Sequence, residues 1–235
     1  MEVTTAPRYG EPPMRVAVLL PCLNEEAALP AVLAELPPGL RVVVCDNGST
    51  DGSVAIARAA GAEVAREPTR GYGGACLAGL RLLAADPPDV VVIVDADHSV
   101  DLTELPLLLG PIKRGEADLV MGDRTVHAAP GAMTPPQRAG NEVATRLIAL
   151  RTGHRYRDMG PFRAVRWASL ASLGMEDRTW GWNVEMQMKA VRRGLRVLEV
   201  PVHTRPRIGQ SKISGTVRGV ARAGAKMLYA CWRYG

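Results

Sequence analysis

The feature that most constrains the fold is the apolar, β-branched run Val90–Val94, which ends directly in Asp95-Ala96-Asp97. An uninterrupted run of this kind is typical of a strand buried on both faces, as in a parallel sheet covered by helices. It therefore predicts a layered α/β fold with carboxylates at the end of an internal strand.

Short apolar runs alternate with longer helical patterns through the first half of the chain. The runs predict strands at Val16–Leu20, Arg41–Cys45, Ala62–Ala65, Val90–Val94 and Ala117–Met121, and the patterns predict helices at about 25–36, 51–60, 74–85 and 101–114. This alternation predicts a central, mostly parallel sheet flanked by helices. In such folds, ligands bind at the carboxyl ends of the strands.

After residue 122 the pattern changes. Residues 127–136 are rich in Ala, Pro and Gly and predict a loop, followed by helices at about 137–152 and 183–193 and a last strand at 195–202. We expect a flexible N-terminus at 1–13, a single domain at 14–204, and a basic loop with an amphipathic helix at 205–235.

The cysteines and the hydropathy exclude some classes of protein. Cys22, Cys45, Cys76 and Cys231 lack the close pairing of a zinc or disulfide framework, which predicts buried thiols in a reduced, cytosolic protein. No run reaches the ~20 uncharged apolar residues of a spanning helix. The short run before Pro21 does not fit a signal peptide. We expect a soluble or membrane-surface protein.

Polar loops follow the predicted strands, and a parallel sheet would bring them to one edge. They are Pro21-Cys22-Leu23-Asn24-Glu25-Glu26, Asp46-Asn47-Gly48-Ser49-Thr50-Asp51, the glycine loop Gly71-Tyr72-Gly73-Gly74, and Asp95-Ala96-Asp97. Carboxylates one residue apart at a strand end suit Mg²⁺ or Mn²⁺, which take one or two carboxylates plus phosphate oxygens. Together the loops suit a nucleotide with a metal, although each alone also fits a turn or a helix cap.

The glycine loop also tests a dinucleotide-binding fold. In Gly71-Tyr72-Gly73-Gly74-Ala75-Cys76, Cys76 stands where the fingerprint has its third glycine, and the loop would follow a third strand instead of a first. An NAD-dependent enzyme is therefore disfavoured.

Motifs in order along residues 15–214 resemble glycosyltransferase family 2, and within it the dolichol- and polyprenyl-phosphate sugar synthases. Besides the loops above, they are Arg70 before the glycine loop, Gly122-Asp123-Arg124, Gly160-Pro161-Phe162-Arg163 and Gly209-Gln210-Ser211-Lys212. The resemblance implies the GT-A nucleotide-sugar transferase fold for residues 14–204, a divalent metal, and inversion at the anomeric carbon.

The resemblance also implies roles for individual residues. The implied nucleotide-binding residues are Pro21, Leu23, Asn24, Glu25, Asp46, Asn47, Gly48, Arg70, Gly73, Asp95 and Ala96. The implied metal ligands are Asp95 and Asp97, the phosphate-binding residues are Arg207 and Lys212, and the catalytic candidates are Asp97, Arg124, Asp158 and Glu185.

The chain departs from the family pattern in three respects. Asn47 stands where members usually have an Asp that reads the nucleobase, which leaves the base open. Ser99-Val100 replaces a common Gln-His pair, and the C-terminal membrane spans of many polyprenyl-phosphate enzymes do not follow.

The acceptor depends on whether the reaction needs a general base. Many relatives place an Asp before the late helix, and the matching position holds Asn183, which cannot accept a proton at neutral pH. A phosphate acceptor is already an anion and needs no base. A sugar hydroxyl remains possible with Asp158 or Glu185 as the base, although Glu185 also fits a helical ion pair with Lys189 at i+4.

The sequence therefore predicts metal-dependent, inverting transfer of a hexose from a UDP- or GDP-sugar to a polyprenyl or dolichyl phosphate. Two alternatives remain. One is transfer to a soluble, phosphorylated small molecule, and the other is a non-catalytic module that binds nucleotide sugars.

The net charge of +5 is concentrated at the C-terminal end. Residues 205–235 hold seven basic and no acidic residues, whereas the rest of the chain holds 22 basic and 24 acidic residues. Arg218, Arg222 and Lys226 share one side of a predicted helix at 214–234. Three mid-helix cations disfavour a membrane span.

The amphipathic pattern leaves open which surface this helix contacts. We expect it to lie flat on the anionic cytoplasmic face of a membrane, or to pack on the protein's own sheet or on a second subunit of a homo-oligomer. Nucleic acid is not an expected partner, because base-stacking aromatics are scarce and the rest of the chain is slightly acidic.

Overall fold

The predicted strands form the centre of a seven-stranded sheet in the computed structural model, which describes residues 13–209, 226 and 228–235. The strand order is β3-β2-β1-β4-β6-β5-β7. The strands are β1 Val16–Cys22, β2 Arg41–Asp46, β3 Glu63–Arg66, β4 Val90–Ile93, β5 Leu119–Ala128, β6 Arg163–Arg166 and β7 Val197–Thr204.

Helices cover both faces of this sheet. They are α1 Leu29–Glu35, α2 Ser53–Ala59, α3 Tyr72–Leu83, α4 Leu105–Lys113, α5 Pro135–Thr152, α6 Trp167–Leu173 and α7 Trp182–Arg192. Residues 228–234 are the described end of a C-terminal helix. Most of the predicted N-terminal segment, most of the predicted tail helix, and Lys212 lie outside the described residues, and the division at residue 205 stays a prediction.

The pairing of the strands confirms the mostly parallel α/β fold. β1 pairs in parallel with β2 and β4, β2 with β3, and β5 with β7. β6 runs antiparallel to both of its neighbours, β4 and β5. The carboxyl ends of β1, β2, β3 and β4 therefore meet at one edge, as the loop sequences predicted.

Two elements were not predicted from the sequence, and one prediction was partly wrong. β6 and α6 were missed, because a four-residue strand with an arginine at each end has no apolar run to reveal it. The predicted loop at 127–136 begins too early: β5 continues to Ala128, with His127 opposite His203 of β7.

The residues of β4 alternate between two hydrophobic layers. Val91 and Ile93 belong to the layer that includes α3, α5, α6 and α7. Val90 and Val92 belong to the opposite layer, with α1, α2 and α4. Burial on both faces explains why the run is apolar at every position.

The described end of the C-terminal helix packs against the body of the protein. Ala230, Cys231 and Tyr234 are buried in the same layer as Trp182 of α7. Its outward face exposes Leu228, Tyr229 and Trp232. The described end of the tail thus agrees with the second expectation for this helix, that it packs on the protein itself. Among the described helices, none combines the length and apolar character needed to cross a membrane.

Candidate active site

The carboxyl ends of β1, β2 and β4 open into a cavity of about 460 Å³, called the donor cavity below. The nominated residues that line it are Pro21, Leu23, Glu25, Asn47, Arg70, Asp95, Ala96, Asp97 and Arg207. The nominated residues that do not line it are Asn24, Asp46, Gly48, Gly73, Arg124, Asp158 and Glu185. Seven lining residues were not predicted to be site residues: Cys22, Gly71, Tyr72, Ala75, Thr179, Trp180 and Lys226.

Asp95 and Asp97 follow β4 at the edge of this cavity. Burial and the nearby Asp97 carboxylate raise the pKa of Asp95 to about 7, and the Tyr72 hydroxyl and the charges of Arg124 and Arg207 oppose that rise. Oδ1 of Asp95 is buried and has no hydrogen-bond partner among the described residues. Carboxylates in this state fit a divalent cation, which would compensate their charge and use the spare oxygen.

No cluster of three or more His, Cys, Asp or Glu side chains that could hold a metal ion occurs in the described ranges. A cation at Asp95 and Asp97 would therefore need further ligands from water and from phosphate oxygens of a bound substrate, as Mg²⁺ often does.

The amide of Asn47 ties the end of β2 to the segment after β3. Its Oδ1 accepts a hydrogen bond from Gly71 N at 2.7 Å, and its Nδ2 donates to the carbonyl oxygens of Glu67 and Thr69 at 3.0 and 2.8 Å. An ionised Asp could not donate these two bonds. Asn47, which departs from the family pattern, thus stabilises the segment after β3 through bonds that an Asp would not make.

Two further nominated residues hold the loops beside the cavity. Asp46 Oδ1 accepts a hydrogen bond from Ser49 N at 3.0 Å, and Asn24 Oδ1 accepts one from Thr50 N at 2.8 Å. These contacts fix the loop after β2 and its position against the loop after β1.

The glycine loop lets a distant segment approach the cavity. Gly73 N donates to Thr179 O at 3.1 Å and Gly74 N donates to Arg178 O at 2.9 Å. A Cβ at Gly73 would collide with the carbonyl oxygen of Asp177. The glycines thus place Thr179 at the cavity, and they were the sequence signal that another backbone segment comes close.

Glu185 supports this same segment. Its carboxylate is fully buried, accepts hydrogen bonds from Glu176 N and Asp177 N at 2.8 Å each, and lies 2.6 Å from Lys189 Nζ. The geometry is that of the predicted i+4 ion pair. Assignment of Glu185 as a general base stays a prediction.

Asp158, which is fully buried, and Arg124, whose side chain is 22% exposed, form an ion pair. Nε and Nη2 of Arg124 donate to the two oxygens of Asp158 at 2.7 and 2.8 Å, and Arg124 N donates to Oδ2 at 3.0 Å. Burial alone would lower the pKa of Arg124, but the bonds to Asp158 raise it, so the guanidinium stays charged.

A second cavity of about 570 Å³ was not anticipated from the sequence and is called the arginine cavity below. It is lined by Thr125, Ala128, Met133, Arg138, Asn141, Glu142, Arg155, Tyr156 and Arg157. Its three arginines outnumber its single carboxylate. Thr125 and Arg157 adjoin Arg124 and Asp158 in the chain, and the charge of Arg124 acts on Asp95 of the donor cavity.

A largely parallel sheet with Asp-Ala-Asp beside a cavity at its strand ends defines the class of nucleotide-sugar transferases with the GT-A fold. Residues 17–171 match the profile of Glycosyl transferase family 2. The chain belongs to this family and is a glycosyltransferase.

Three known proteins show what the chain is similar to. An uncharacterized glycosyltransferase of Mycobacterium tuberculosis is 45% identical over 208 residues, which cover 87% of this chain and 92% of the relative. A dolichyl-phosphate hexose transferase of Haloferax volcanii is 36% identical over 212 residues, covering 88% and 90%.

The third is a solved structure, glucosyl-3-phosphoglycerate synthase of Mycobacterium tuberculosis in complex with Mn²⁺, UDP-glucose and phosphoglyceric acid. It superposes with a TM-score of 0.72 at 25% identity and covers 94% of this chain and 80% of its own.

Proposed function

We propose that the protein transfers a hexose, with inversion, from a nucleotide diphosphate sugar to a polyprenyl phosphate, in a reaction that depends on Mg²⁺ or Mn²⁺. The observation that carries this proposal is the pairing of two cavities. The donor cavity has the carboxylates Asp95 and Asp97, and the arginine cavity, lined by residues that adjoin Arg124 and Asp158 in the chain, suits an anionic acceptor.

On the donor side, Asp95 and Asp97 would hold the divalent ion, which would neutralise charge that develops on the leaving diphosphate. The buried, unpaired Oδ1 of Asp95 supports this assignment. Arg207 and Lys226 line the same cavity and would add positive charge near the diphosphate. Lys212, outside the described residues, stays a predicted phosphate-binding residue.

On the acceptor side, Arg138, Arg155 and Arg157 would bind the acceptor phosphate. One phosphate oxygen forms a bond to the anomeric carbon, while the bond from that carbon to the diphosphate breaks and its electron pair leaves with the diphosphate. No proton has to be removed from an acceptor that is already ionised.

The carboxylates nominated as bases agree with such an acceptor. Asp158 is saturated by Arg124, and Glu185 is saturated by Lys189 and two backbone amides. Neither lines the donor cavity or the arginine cavity.

Two observations support a lipid-linked acceptor. The Haloferax volcanii relative is named a dolichyl-phosphate hexose transferase. Leu228, Tyr229 and Trp232 of the C-terminal helix are 53%, 43% and 69% exposed. Leu, Tyr and Trp on one helix face are typical of contact with a membrane interface. We infer that the protein acts as a peripheral enzyme at the cytoplasmic face of a membrane.

A phosphorylated small molecule is the second candidate acceptor. The structural neighbour from Mycobacterium tuberculosis was solved with phosphoglyceric acid bound. The arginine cavity, at about 570 Å³, has room for a ligand of that size and the charge to bind its phosphate.

One assay separates the candidate acceptors. The protein would be incubated with Mn²⁺ and labelled UDP- or GDP-hexoses, with either undecaprenyl phosphate in detergent or phosphoglyceric acid, and the label would be partitioned between organic and aqueous phases. We expect a labelled lipid product together with nucleoside diphosphate. A product from phosphoglyceric acid alone would favour the second candidate.

The metal assignment has its own variant. Asp97→Asn should reduce transfer to below about a tenth of the wild-type rate while the circular dichroism spectrum is unchanged. Asp86→Asn is the matched control, since the Asp86 side chain is 71% exposed and lies in neither cavity. More than about a tenth of the rate in Asp97→Asn would contradict the metal role.

A further inference from the structure

Arg207 bridges two carboxylates of the donor cavity. Its Nη2 donates to Glu25 Oε1 at 2.8 Å, and its Nη1 lies 3.3 Å from Asp97 Oδ2. The side chains of Glu25, Asp97 and Arg207 are 10%, 11% and 27% exposed, so the three groups are partly shielded from water. Within the part of the chain that the structure describes, Arg207 is the cation that contacts Asp97.

The backbone around Arg207 holds it in this position. Ile208 N donates to Asp97 O at 3.0 Å and Arg205 N donates to Ser99 O at 3.0 Å. The side chain of Arg205 is anchored separately, by a 2.7 Å contact with Glu35. Backbone hydrogen bonds therefore hold residues 205–208 alongside residues 97–99.

Asp97 is also one of the two carboxylates proposed to bind the metal. A guanidinium with +1 charge and a metal ion with +2 charge repel each other when they share one partly buried carboxylate. The contact between Arg207 and Asp97 must therefore weaken when a metal binds there, which leaves the guanidinium paired with Glu25 and able to donate to a further anion. Its Nε is buried without a hydrogen-bond partner among the described residues, so it keeps a spare donor beside the donor cavity.

We propose that Arg207 and the divalent metal compete for Asp97. When the donor binds, its diphosphate pairs with the Arg207 guanidinium and leaves Asp97 to the metal. This inference rests on the proposed function, because it requires a metal at Asp97 and a diphosphate next to it. Its consequence is positive coupling: the metal alone binds weakly, and the metal together with the diphosphate binds tightly. Such coupling would keep metal and donor from occupying the site separately.

The test is Mn²⁺ affinity, measured by isothermal titration calorimetry and by electron paramagnetic resonance of free Mn²⁺, with and without UDP. Arg207→Gln should bind Mn²⁺ alone at least about fivefold more tightly than the wild type, because the competing charge is gone. The gain in Mn²⁺ affinity caused by UDP should be smaller in this variant than in the wild type.

Two more variants complete the experiment. Arg205→Gln removes a neighbouring charge that pairs with Glu35, and it should leave the Mn²⁺ affinity at the wild-type value. Arg207→Lys keeps the charge, and it should bind Mn²⁺ alone as weakly as the wild type does. It also serves if Arg207→Gln fails to fold.

The outcomes separate this inference from the proposed function. Equal or weaker binding of Mn²⁺ alone by Arg207→Gln, with UDP-dependent binding intact in the wild type, would overturn the competition and leave the proposed function standing. The same holds if Arg207→Lys binds Mn²⁺ alone much more tightly than the wild type. Failure of the wild type to bind Mn²⁺ even with UDP would overturn both.

Discussion

The side chain of Asp158, which is fully buried, accepts two hydrogen bonds from the guanidinium of Arg124 at 2.7 and 2.8 Å. A bidentate contact of this kind fixes both the position and the orientation of the arginine. Asp158 therefore serves to position Arg124, whose charge also acts on Asp95.

Breaking this pair from either side should destabilise the protein. Asp158→Asn and Arg124→Gln each leave one member of a buried ion pair without its partner, and we expect each to lower the free energy of unfolding by about 3 kcal/mol. Urea denaturation measures the loss. The double variant should lose less than the sum of the two single losses, and strictly additive losses would contradict a direct interaction.

In the same set of variants, the rate of sugar transfer should not follow the free energy of unfolding. The double variant regains part of the stability but lacks the Arg124 charge, so its rate of sugar transfer should stay as low as that of Arg124→Gln alone. Recovery of the rate together with the stability would show that Arg124 has only a structural role.

The raised pKa of Asp95 predicts that the metal-free protein is destabilised by this carboxylate. The pKa is about 7 in the folded protein against an ordinary value of 3.8, so the folded state binds the proton more tightly than the unfolded state does. The stabilising contribution of the bound proton is fully present below the unfolded pKa and is lost as the pH rises through the folded pKa, between about pH 4 and 7.

Asp95→Asn removes the charge and should therefore be more stable than the wild type at about pH 8 in EDTA, by at least about 1 kcal/mol. The difference should shrink as the pH approaches 4. Urea unfolding across this pH range, with Asp86→Asn as the exposed control, measures it. A wild type as stable as Asp95→Asn at pH 8 would mean that the carboxylate is already compensated.

Gly73 in the glycine loop and Gly140 in α5 are a matched pair of glycines for substitution, because Gly73 is closely packed and Gly140 is not. Gly140 lies in α5 with no heavy atom near the position of an added Cβ, so Gly140→Ala should be neutral or stabilising by up to about 1 kcal/mol. Gly73→Ala should displace the segment at Asp177, lower the thermal midpoint and weaken UDP binding by about tenfold, or about 1.4 kcal/mol. Thermal unfolding with and without UDP measures both effects. Equal behaviour of the two variants would exclude the close approach of this segment.

Much of the donor cavity could be predicted because it follows from a local pattern. The run at 90–94 predicts a strand buried on both faces. A parallel sheet then brings the loops after β1, β2 and β4 to one edge, independently of how the rest of the chain folds. Asp95 and Asp97 could be predicted for this reason, whereas the role of Glu25 was implied by the resemblance to the family.

The remainder depends on contacts that no local pattern encodes. Thr179 reaches the donor cavity through a hydrogen bond to Gly73, more than a hundred residues earlier in the chain. Arg138 and Arg155 are charged residues of a helix and a loop and look like surface arginines in the sequence, and only the packing of α5 against the segment before β6 brings them to one cavity. Asn47 lies where the family pattern places it, but its amide is used by the chain itself.

The C-terminal helix predicts where a membrane would contact the protein. Ala230 and Cys231 are buried against α7, which fixes the orientation of the helix and turns Leu228 and Trp232 outward. The segment 205–235, with seven basic and no acidic residues, adds charge that an anionic leaflet attracts. We expect the protein to co-sediment with vesicles that contain anionic phospholipid, and to do so less at high salt.

Leu228→Ser combined with Trp232→Ser should lower the vesicle partition coefficient by about tenfold or more, because each apolar side chain contributes roughly 1–2 kcal/mol when it enters the interface. The thermal midpoint should hardly change, since both side chains are exposed. Leu107→Ser is the matched control: Leu107 is 48% exposed on α4, in a different part of the surface, and should leave vesicle binding unchanged. Analytical ultracentrifugation of the same proteins tests the alternative that this face contacts a second copy of the chain. The alternative would hold if the wild type is a dimer, the double substitution converts it to a monomer, and vesicle binding is unaltered.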